Sequence, residues 1–184
     1  MRKLNILEMN RLSVDEYRES EKLPLVVVLD RVRSLYNVGS VLRTTDAFRL
    51  AGVCLCGITA QPPHPEIHKT ALGAEDSVDW KYFERTEDCV TWLKSQGYKI
   101  LAIEQCEGST LLTEIKNEKS KIKNEKVAVV LGNEVKGVQQ QVIDMCDGCL
   151  EIPQYGTKHS LNVSVTAGIV IWELFKKLHA ADTL

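Results

Sequence analysis

The chain has 184 residues, of which 44% are hydrophobic and 26% charged, and its formal net charge is −2. These values are ordinary for a globular protein of one domain. Its apolar runs are far shorter than the roughly 18 residues needed to cross a membrane, and its charged beginning is unlike a signal peptide. We therefore predict a cytoplasmic protein without a membrane segment.

Most nucleic-acid-binding proteins present a strongly basic surface, so the slightly negative net charge of this chain argues against nucleic-acid binding. The basic residues are nevertheless concentrated in two stretches. Arginines crowd residues 31–49. Lysines crowd residues 116–126, where the simplest interpretation is a solvated loop.

The apolar pattern predicts strands that alternate with helices. Residues 1–24 read as a short helical extension, in which Ser13 and Glu16 have the spacing of a capping box. Strands are predicted at 25–29, 53–58, 99–104, 127–131 and 149–152, and helices at 37–50, 87–96, 138–145 and 161–179. Pro62, Pro63 and Pro65 mark a loop. The alternation predicts an α/β domain over residues 25–184, with a mostly parallel sheet flanked by helices.

The six cysteines raise the question of a metal site. Cys146 and Cys149 form a single C-x-x-C pair, and Cys54 and Cys56 alternate within an apolar strand. A structural zinc site usually takes four ligands from two such pairs, and histidines in a proline-rich loop are weak partners. We therefore predict ordinary reduced thiols and no metal.

A first polar motif follows the first predicted strand and begins a helix. Asn37 can cap that helix, and the small residues Gly39 and Ser40 leave space for another backbone or a phosphate to approach. Arg43 lies away from the apolar stripe. The simplest interpretation of Arg43 is a surface arginine on an amphipathic helix.

Two further motifs follow later strands. Gly132 and Gly137 have a spacing typical of a phosphate-binding loop, but Val138 stands where a Walker loop needs Ser or Thr, which excludes nucleoside triphosphates. The third motif spans 152–165. Its Ser160 is a good helix cap, whereas Asn162 is predicted inside the helix, where asparagine is unfavourable, which indicates a ligand-binding or catalytic role.

Together the three motifs resemble the SpoU/TrmH family of RNA ribose 2′-O-methyltransferases, within the SPOUT class. The matching signatures are N-x-G-x-x-x-R, L-G-N-E-x-x-G and I-P-Q-x-G-x-x-x-S-L-N-V-S, and the similarity runs over about residues 24–178. Segments 97–105 and 169–173 look like the branch that methylates a D-loop guanosine of tRNA.

This resemblance implies a SPOUT α/β-knot fold with a C-terminal trefoil knot, S-adenosylmethionine as cofactor, and a homodimer whose active sites use both chains. No metal is required, because the sulfonium is itself a strong electrophile. The implied catalytic residues are Arg43, Asn37, Glu134 and Asn162; the implied cofactor-binding residues are Gly132, Ile152, Leu161, Ser160 and Glu104; and the implied RNA-binding residues are Arg31, Arg33 and Arg43.

Within that resemblance, Arg43 orients the nucleotide and favours the alkoxide, because arginine, with a pKa above about 12, is a poor base. Asn37 is expected to hold Arg43 or the RNA backbone, and Gly132 to let the cofactor approach closely. Transfer RNA is the first expectation for the substrate, on the finer resemblance to the tRNA branch and on the expectation that this chain lacks a separate RNA-binding domain. The alternatives are a ribosomal RNA methyltransferase and a non-catalytic knotted RNA-binding protein.

Overall fold

The computed structural model describes residues 1–5, 7–115 and 125–179. Its strands are β1 Leu23–Asp30, β2 Leu50–Cys56, β3 Trp80–Phe83, β4 Tyr98–Ile103, β5 Thr110–Leu111, β6 Lys126–Leu131 and β7 Gly148–Glu151. Its helices are α1 Val14–Glu19, α2 Leu35–Ala47, α3 Pro65–Ala71, α4 Ala74–Ser77, α5 Thr86–Ser95, α6 Gln140–Ile143 and α7 Val163–His179, with 3-10 turns at Leu7–Met9 and Leu112–Glu114. None of these helices has the length and apolarity that a membrane span requires.

The described strands form one sheet in the order β3-β2-β1-β6-β4-β7-β5, and each pairing between neighbours is parallel. The predicted mostly parallel sheet is therefore confirmed. β6 lies between two strands that precede it in the chain, and its Val127 pairs with Leu25 of β1. This order brings the ends of β1, β6, β4 and β7 together at one edge of the sheet.

Helices cover both faces of the sheet, which explains why β1 reads as a continuous apolar run. Leu25 and Val27 belong to a core that includes buried residues of α2, α3 and α7. Val26 and Val28 point to the other face, where the core includes buried residues of α5 and α6. Cys54, Cys56 and Cys89 are buried in this second core.

The N-terminal extension packs on the domain through α1. Ser13 and Glu16 form the predicted capping box, with the Ser13 backbone N–H 2.7 Å from the Glu16 carboxylate. Tyr17 is buried in the first core, so α1 is anchored to the domain by its ring. The lysines at 116–123 lie outside the described residues, and Lys126 begins β6.

The loop predicted around the prolines is partly wrong. Pro65 is the first residue of α3, since proline loses no hydrogen bond at this position. The His64 side chain caps this helix by accepting a hydrogen bond from the Glu66 backbone N–H. Strands β3 and β5 and helices α3 and α4 were not predicted from the sequence. The helix predicted at 138–145 is also shorter, spanning Gln140–Ile143.

Candidate functional site

A cavity of about 1060 Å³ lies between the second and third motifs, beyond the carboxyl ends of β4, β6 and β7. In open parallel sheets this edge is where ligands bind. The cavity is lined by all five residues that were predicted to hold the cofactor: Glu104, Gly132, Ile152, Ser160 and Leu161. Glu134 and Asn162, predicted as catalytic residues, line it as well.

The turn between residues 132 and 138 is closed by two backbone hydrogen bonds. Asn133 and Gly137 each donate an N–H to the other's carbonyl oxygen, at 3.0 and 2.9 Å. A Cβ on Gly132 would lie 2.1 Å from the Gly137 carbonyl carbon and 2.1 Å from the Val138 nitrogen. Glycine is therefore needed at 132 because the chain doubles back on itself, whereas the sequence reasoning gave close approach of a ligand as the reason.

Glu104 braces this turn from the end of β4. One carboxylate oxygen accepts the Val138 N–H at 3.0 Å, and the other accepts the Gln105 N–H at 2.9 Å. A Cβ on Gly137 would lie 2.0 Å from the first of these oxygens. Glu104 thus fixes residues 104–109, which follow β4 and are called the β4 corner, against the turn. Residues of both segments line the cavity.

Glu134, Asn37 and Asn162 form a chain of hydrogen bonds between the three motifs. The Asn37 amide nitrogen donates to Glu134 Oε1 at 3.1 Å, and the Asn162 amide nitrogen donates to Asn37 Oδ1 at 3.2 Å. Asn37 itself is buried. The structure therefore brings three of the four predicted catalytic side chains into contact.

Two predicted helix caps are wrong, and the corrections change what the asparagines do. Ser34, not Asn37, caps α2, and Asn37 lies in the first turn, where its amide is free to bond Glu134. Helix α7 begins at Val163, so Asn162 precedes it. Asn162 Oδ1 accepts the Ser164 N–H at 2.9 Å, which makes Asn162, rather than Ser160, the cap of α7.

The Glu134 carboxylate faces the start of α2. It accepts backbone N–H groups from Arg33 and Ser34, each at 3.0 Å, as well as the Asn37 amide. Partial burial acts to raise the pKa of Glu134, but these donors outweigh it and hold the pKa below the ordinary value of 4.5. Glu134 is therefore a stable anion that organises the first motif, and not a proton donor at neutral pH.

We expect Glu134→Gln to make stability less sensitive to acid. Because the folded-state pKa is lowered, the ionised carboxylate stabilises the native state above pH 4.5, and this stabilisation is lost as pH falls through the folded-state pKa. At neutral pH the variant should be about 1 kcal/mol less stable, a value reduced for the exposure of the side chain.

Urea unfolding at neutral pH and at about pH 3 measures the difference in the free energy of unfolding between the wild type and Glu134→Gln. This difference should be smaller at the acid pH. Glu84→Gln, at an exposed glutamate outside this hydrogen-bond chain, is the matched control. An unchanged difference at both pH values would contradict the assigned role.

The three predicted RNA-binding arginines are exposed. Arg31 and Arg33 serve the site through their backbones: the Arg31 carbonyl accepts the Asn133 amide at 2.8 Å, and the Arg33 N–H donates to Glu134. Arg43 lies on α2, and within the described part of the chain its side chain makes no hydrogen bond or ion pair and does not line the cavity. The Asn37 side chain bonds Glu134 and Asn162 and not Arg43, and its expected hold on the RNA backbone stays a prediction.

Asp30 supports the site without lining the cavity, and the sequence reasoning did not single it out. It is completely buried at the end of β1 and accepts hydrogen bonds from the Thr86 hydroxyl at 2.6 Å and from both the backbone and side chain of Gln139, at 3.0 and 2.9 Å. The signal was available, since a carboxylate that directly follows an apolar strand needs buried partners. Asp30 fixes the chain just after the second motif.

Among residues 1–5, 7–115 and 125–179, the His, Cys, Asp and Glu side chains form no group of three or more suited to a metal ion. The chemistry of the cavity is instead that of carboxylates, amides and backbone groups. Gln105 adds a further contact, because its amide donates to the His159 carbonyl at 3.2 Å and ties the β4 corner to the third motif.

Curated relatives match most of the chain. One relative is a Staphylococcus aureus protein named as a TrmH family tRNA/rRNA methyltransferase. It is 29% identical to this chain over 164 residues, which is 89% of this chain and 63% of the relative. The chain thus spans less than two thirds of that relative's length. The 23S rRNA (guanosine-2′-O-)-methyltransferase RlmB of Coxiella burnetii is 30% identical over 96% of this chain and 67% of its own.

Solved structures agree in fold. An AdoMet-bound rRNA methyltransferase from Sinorhizobium meliloti superposes with a TM-score of 0.75 at 28% identity, over 91% of this chain and 61% of that one. The A. aeolicus TrmH/SpoU tRNA modifying enzyme gives a TM-score of 0.76 at 23% identity, over 91% and 81% of the two chains. The sequence model of the SpoU rRNA Methylase family matches residues 24–172. The chain therefore belongs to the SpoU rRNA Methylase family.

Proposed function

We propose that this protein transfers a methyl group from S-adenosylmethionine to a ribose 2′-hydroxyl of RNA. The observation that carries the proposal is the cavity at the carboxyl edge of the sheet. Two of its lining residues, Glu134 and Asn162, are joined through Asn37 by hydrogen bonds that connect three motifs far apart in sequence. Family membership supports it, as does the AdoMet-bound relative of the same fold.

The residues around the cavity suit S-adenosylmethionine, which supplies an electrophilic methyl group when bound. The volume of about 1060 Å³ is sufficient for a ligand of this size. Leu161 and Ile152 offer apolar surface, whereas the turn at Gly132 offers backbone groups. Glu104 holds that turn closed, so the wall is formed before the ligand arrives.

On the RNA side, the hydroxyl must lie in line with the methyl group and lose its proton. We assign Arg43 to the orientation of the nucleotide and to favouring the alkoxide electrostatically. Since Arg43 is exposed and lies outside the cavity of its own chain, it is available to the site of a second chain. Arg31 and Arg33 are exposed close to Glu134 and can bind RNA phosphates.

A homodimer is supported by an exposed apolar strip on α7. Val165, Ile169 and Trp172 lie three and four residues apart and expose 51%, 39% and 51% of their surfaces. Trp172 also contacts Phe48, which follows α2, with ring centroids 5.9 Å apart. A contiguous apolar face next to the helix that carries Arg43 fits a self-complementary interface.

We expect Ile169→Glu to convert the dimer into a monomer, because the interface would bury an unpaired charge. Sedimentation velocity measures the change in mass. Ile58→Glu, at an apolar residue that is 52% exposed and follows β2, is the control and should stay dimeric. A monomeric wild type, or a dimer that persists in Ile169→Glu, would contradict the proposal that this strip of α7 forms a dimer interface.

For the substrate we propose tRNA, with a D-loop guanosine as the first target, on the likeness of segments 97–105 and 169–173. The Coxiella burnetii relative is named for ribosomal RNA and favours the alternative. The trefoil knot and a cytoplasmic location stay predictions. A non-catalytic knotted protein would bind RNA without transferring a methyl group.

One experiment tests reaction and substrate together. The protein is incubated with labelled S-adenosylmethionine and either unmodified tRNA or unmodified ribosomal RNA, and the RNA is then digested and analysed by mass spectrometry. A 2′-O-methylated guanosine in the tRNA D-loop is the expected product. Label in ribosomal RNA alone keeps the reaction and rejects the substrate. Cofactor binding is measured as the thermal shift produced by S-adenosylmethionine, compared with the shift produced by ATP. Cofactor binding without methyl transfer to either RNA would contradict both the proposed reaction and the proposed substrate.

A further inference from the structure

Two thiols face each other at one wall of the cavity. Cys106 follows the end of β4 and lines the cavity, and Cys149 lies in the neighbouring strand β7. Their sulfur atoms are 2.9 Å apart, and Cys149 Sγ is also 3.2 Å from the Glu104 carbonyl oxygen. Both cysteines are free and partly exposed.

We propose that Cys106 and Cys149 are a modification site, at which a two-electron oxidant such as a peroxide forms a reversible disulfide. A disulfide bond is about 2.05 Å long, so the two sulfur atoms need to move together by only about 0.9 Å. The backbone is already positioned, because Ala102 of β4 pairs with Cys149 and the Glu104 N–H donates to the Leu150 carbonyl at 3.1 Å.

The other four cysteines are either buried from solvent or have a thiol that bonds another group. Cys54, Cys56 and Cys89 expose 3%, 0% and 0% of their surfaces, so an oxidant does not reach them in the folded chain. Cys146 is near the pair, but its thiol lies 3.2 Å from the Val142 carbonyl oxygen. Burial and the Asp147 carboxylate also raise the pKa of Cys146 to about 11, which keeps it protonated at neutral pH.

The order of attack follows from the same contacts. Burial and the adjacent Cys106 thiol raise the pKa of Cys149 to about 12, so Cys149 keeps its proton and donates it towards the Cys106 sulfur. Cys106 lines the cavity and is therefore the thiol that an oxidant reaches first.

With hydrogen peroxide, the Cys106 sulfur attacks one peroxide oxygen as the Cys106 proton leaves. The S–O bond forms, the O–O bond breaks, and the hydroxide released takes the proton lost by Cys106 and leaves as water. Cys149 then attacks the Cys106 sulfur, the S–S bond forms, the S–O bond breaks, and the Cys149 proton leaves with the hydroxyl group as a second water. Two thiols are oxidised and one peroxide is reduced.

The disulfide would join the β4 corner covalently to β7. This corner is already tied to β7 by the Ser109 hydroxyl, which donates to a Glu151 carboxylate oxygen at 2.7 Å, and to the third motif by Gln105. Oxidation would therefore draw Cys106 away from the cavity and fix one of its walls.

The test treats the reduced, full-length chain with equimolar hydrogen peroxide under native conditions, then alkylates free thiols and maps peptides by mass spectrometry. We expect a 106–149 cross-link that dithiothreitol reverses, with Cys54, Cys56 and Cys89 alkylated only after unfolding. Cys146→Ser should still form the cross-link. Cys149→Ser should not, and should instead accumulate a sulfenic acid at Cys106, trapped by dimedone.

A folded chain that gives no 106–149 peptide, or that links Cys146 to Cys149, would overturn the proposal. So would a Cys149→Ser chain in which dimedone labels no residue. These readouts do not depend on methyl transfer, so they stand or fall separately from the proposed function.

Discussion

Arg43→Ala is expected to lower the rate of RNA methylation by about 10²–10³-fold, the usual loss when one donor that stabilises a developing oxyanion is removed. The melting temperature should not change, because the Arg43 side chain is exposed and has no hydrogen-bond or ion-pair partner among the described residues. The measurement is single-turnover methylation with saturating S-adenosylmethionine, together with a thermal melt of the same sample.

Two variants sharpen this test. Arg43→Lys keeps the positive charge but not the planar fork, so partial recovery would separate charge from geometry. Arg49→Ala removes another exposed arginine, just beyond the end of α2, and should methylate at close to the wild-type rate. Full activity in Arg43→Ala would remove Arg43 from the mechanism, and equal losses in both alanine variants would indicate a general effect of positive charge.

Gly132→Ala is expected to destabilise the chain by about 3 kcal/mol, since the new methyl group would overlap backbone atoms that have no alternative rotamer. The close atoms are the Gly137 carbonyl carbon and the Val138 nitrogen, each at 2.1 Å. The turn must open, which breaks the hydrogen bonds between Asn133 and Gly137 and weakens the hydrogen bond from the Val138 N–H to Glu104. For a domain of this size the melting temperature should fall by about 6–12 °C.

Gly156→Ala is the matched control, because a Cβ at Gly156 meets no atom within 4 Å. Its stability should stay within about 0.5 kcal/mol of wild type. Cofactor affinity should fall in Gly132→Ala even at temperatures where the chain is folded, since the turn is part of the cavity wall. A Gly132→Ala chain as stable as Gly156→Ala would show that the turn opens without cost.

The parallel sheet was predictable because its central strands are buried on both faces and therefore read as plain apolar runs, such as Leu25 to Leu29. Strand β3 was missed for the opposite reason. It lies at the edge of the sheet, none of its four residues is buried, and its sequence Trp-Lys-Tyr-Phe carries no clear period. Short edge strands of this kind are specified by their neighbour and not by their own pattern.

The site was predictable as a set of motifs but not as a set of contacts. Glu134 bonds Asn37, Ser34 and Arg33, residues about 100 positions away, and no local pattern encodes such pairs. The role of Asn162 changed with a small shift in the start of α7, from an unexplained residue within a helix to its cap. Helix ends are the least certain part of any sequence interpretation, and here they decide what two asparagines do.

The position of β6 between β1 and β4 has a consequence for synthesis of the protein on the ribosome. Leu25 of β1 pairs with Val127, about 100 residues later in the chain, which at roughly 5–20 residues per second takes about 5–20 s to be made. During that interval β1 has β2 on one side and an open apolar edge on the other, and β4 is already available as a wrong neighbour. The nascent chain should therefore be most open to mispairing, and most in need of a chaperone, before β6 emerges.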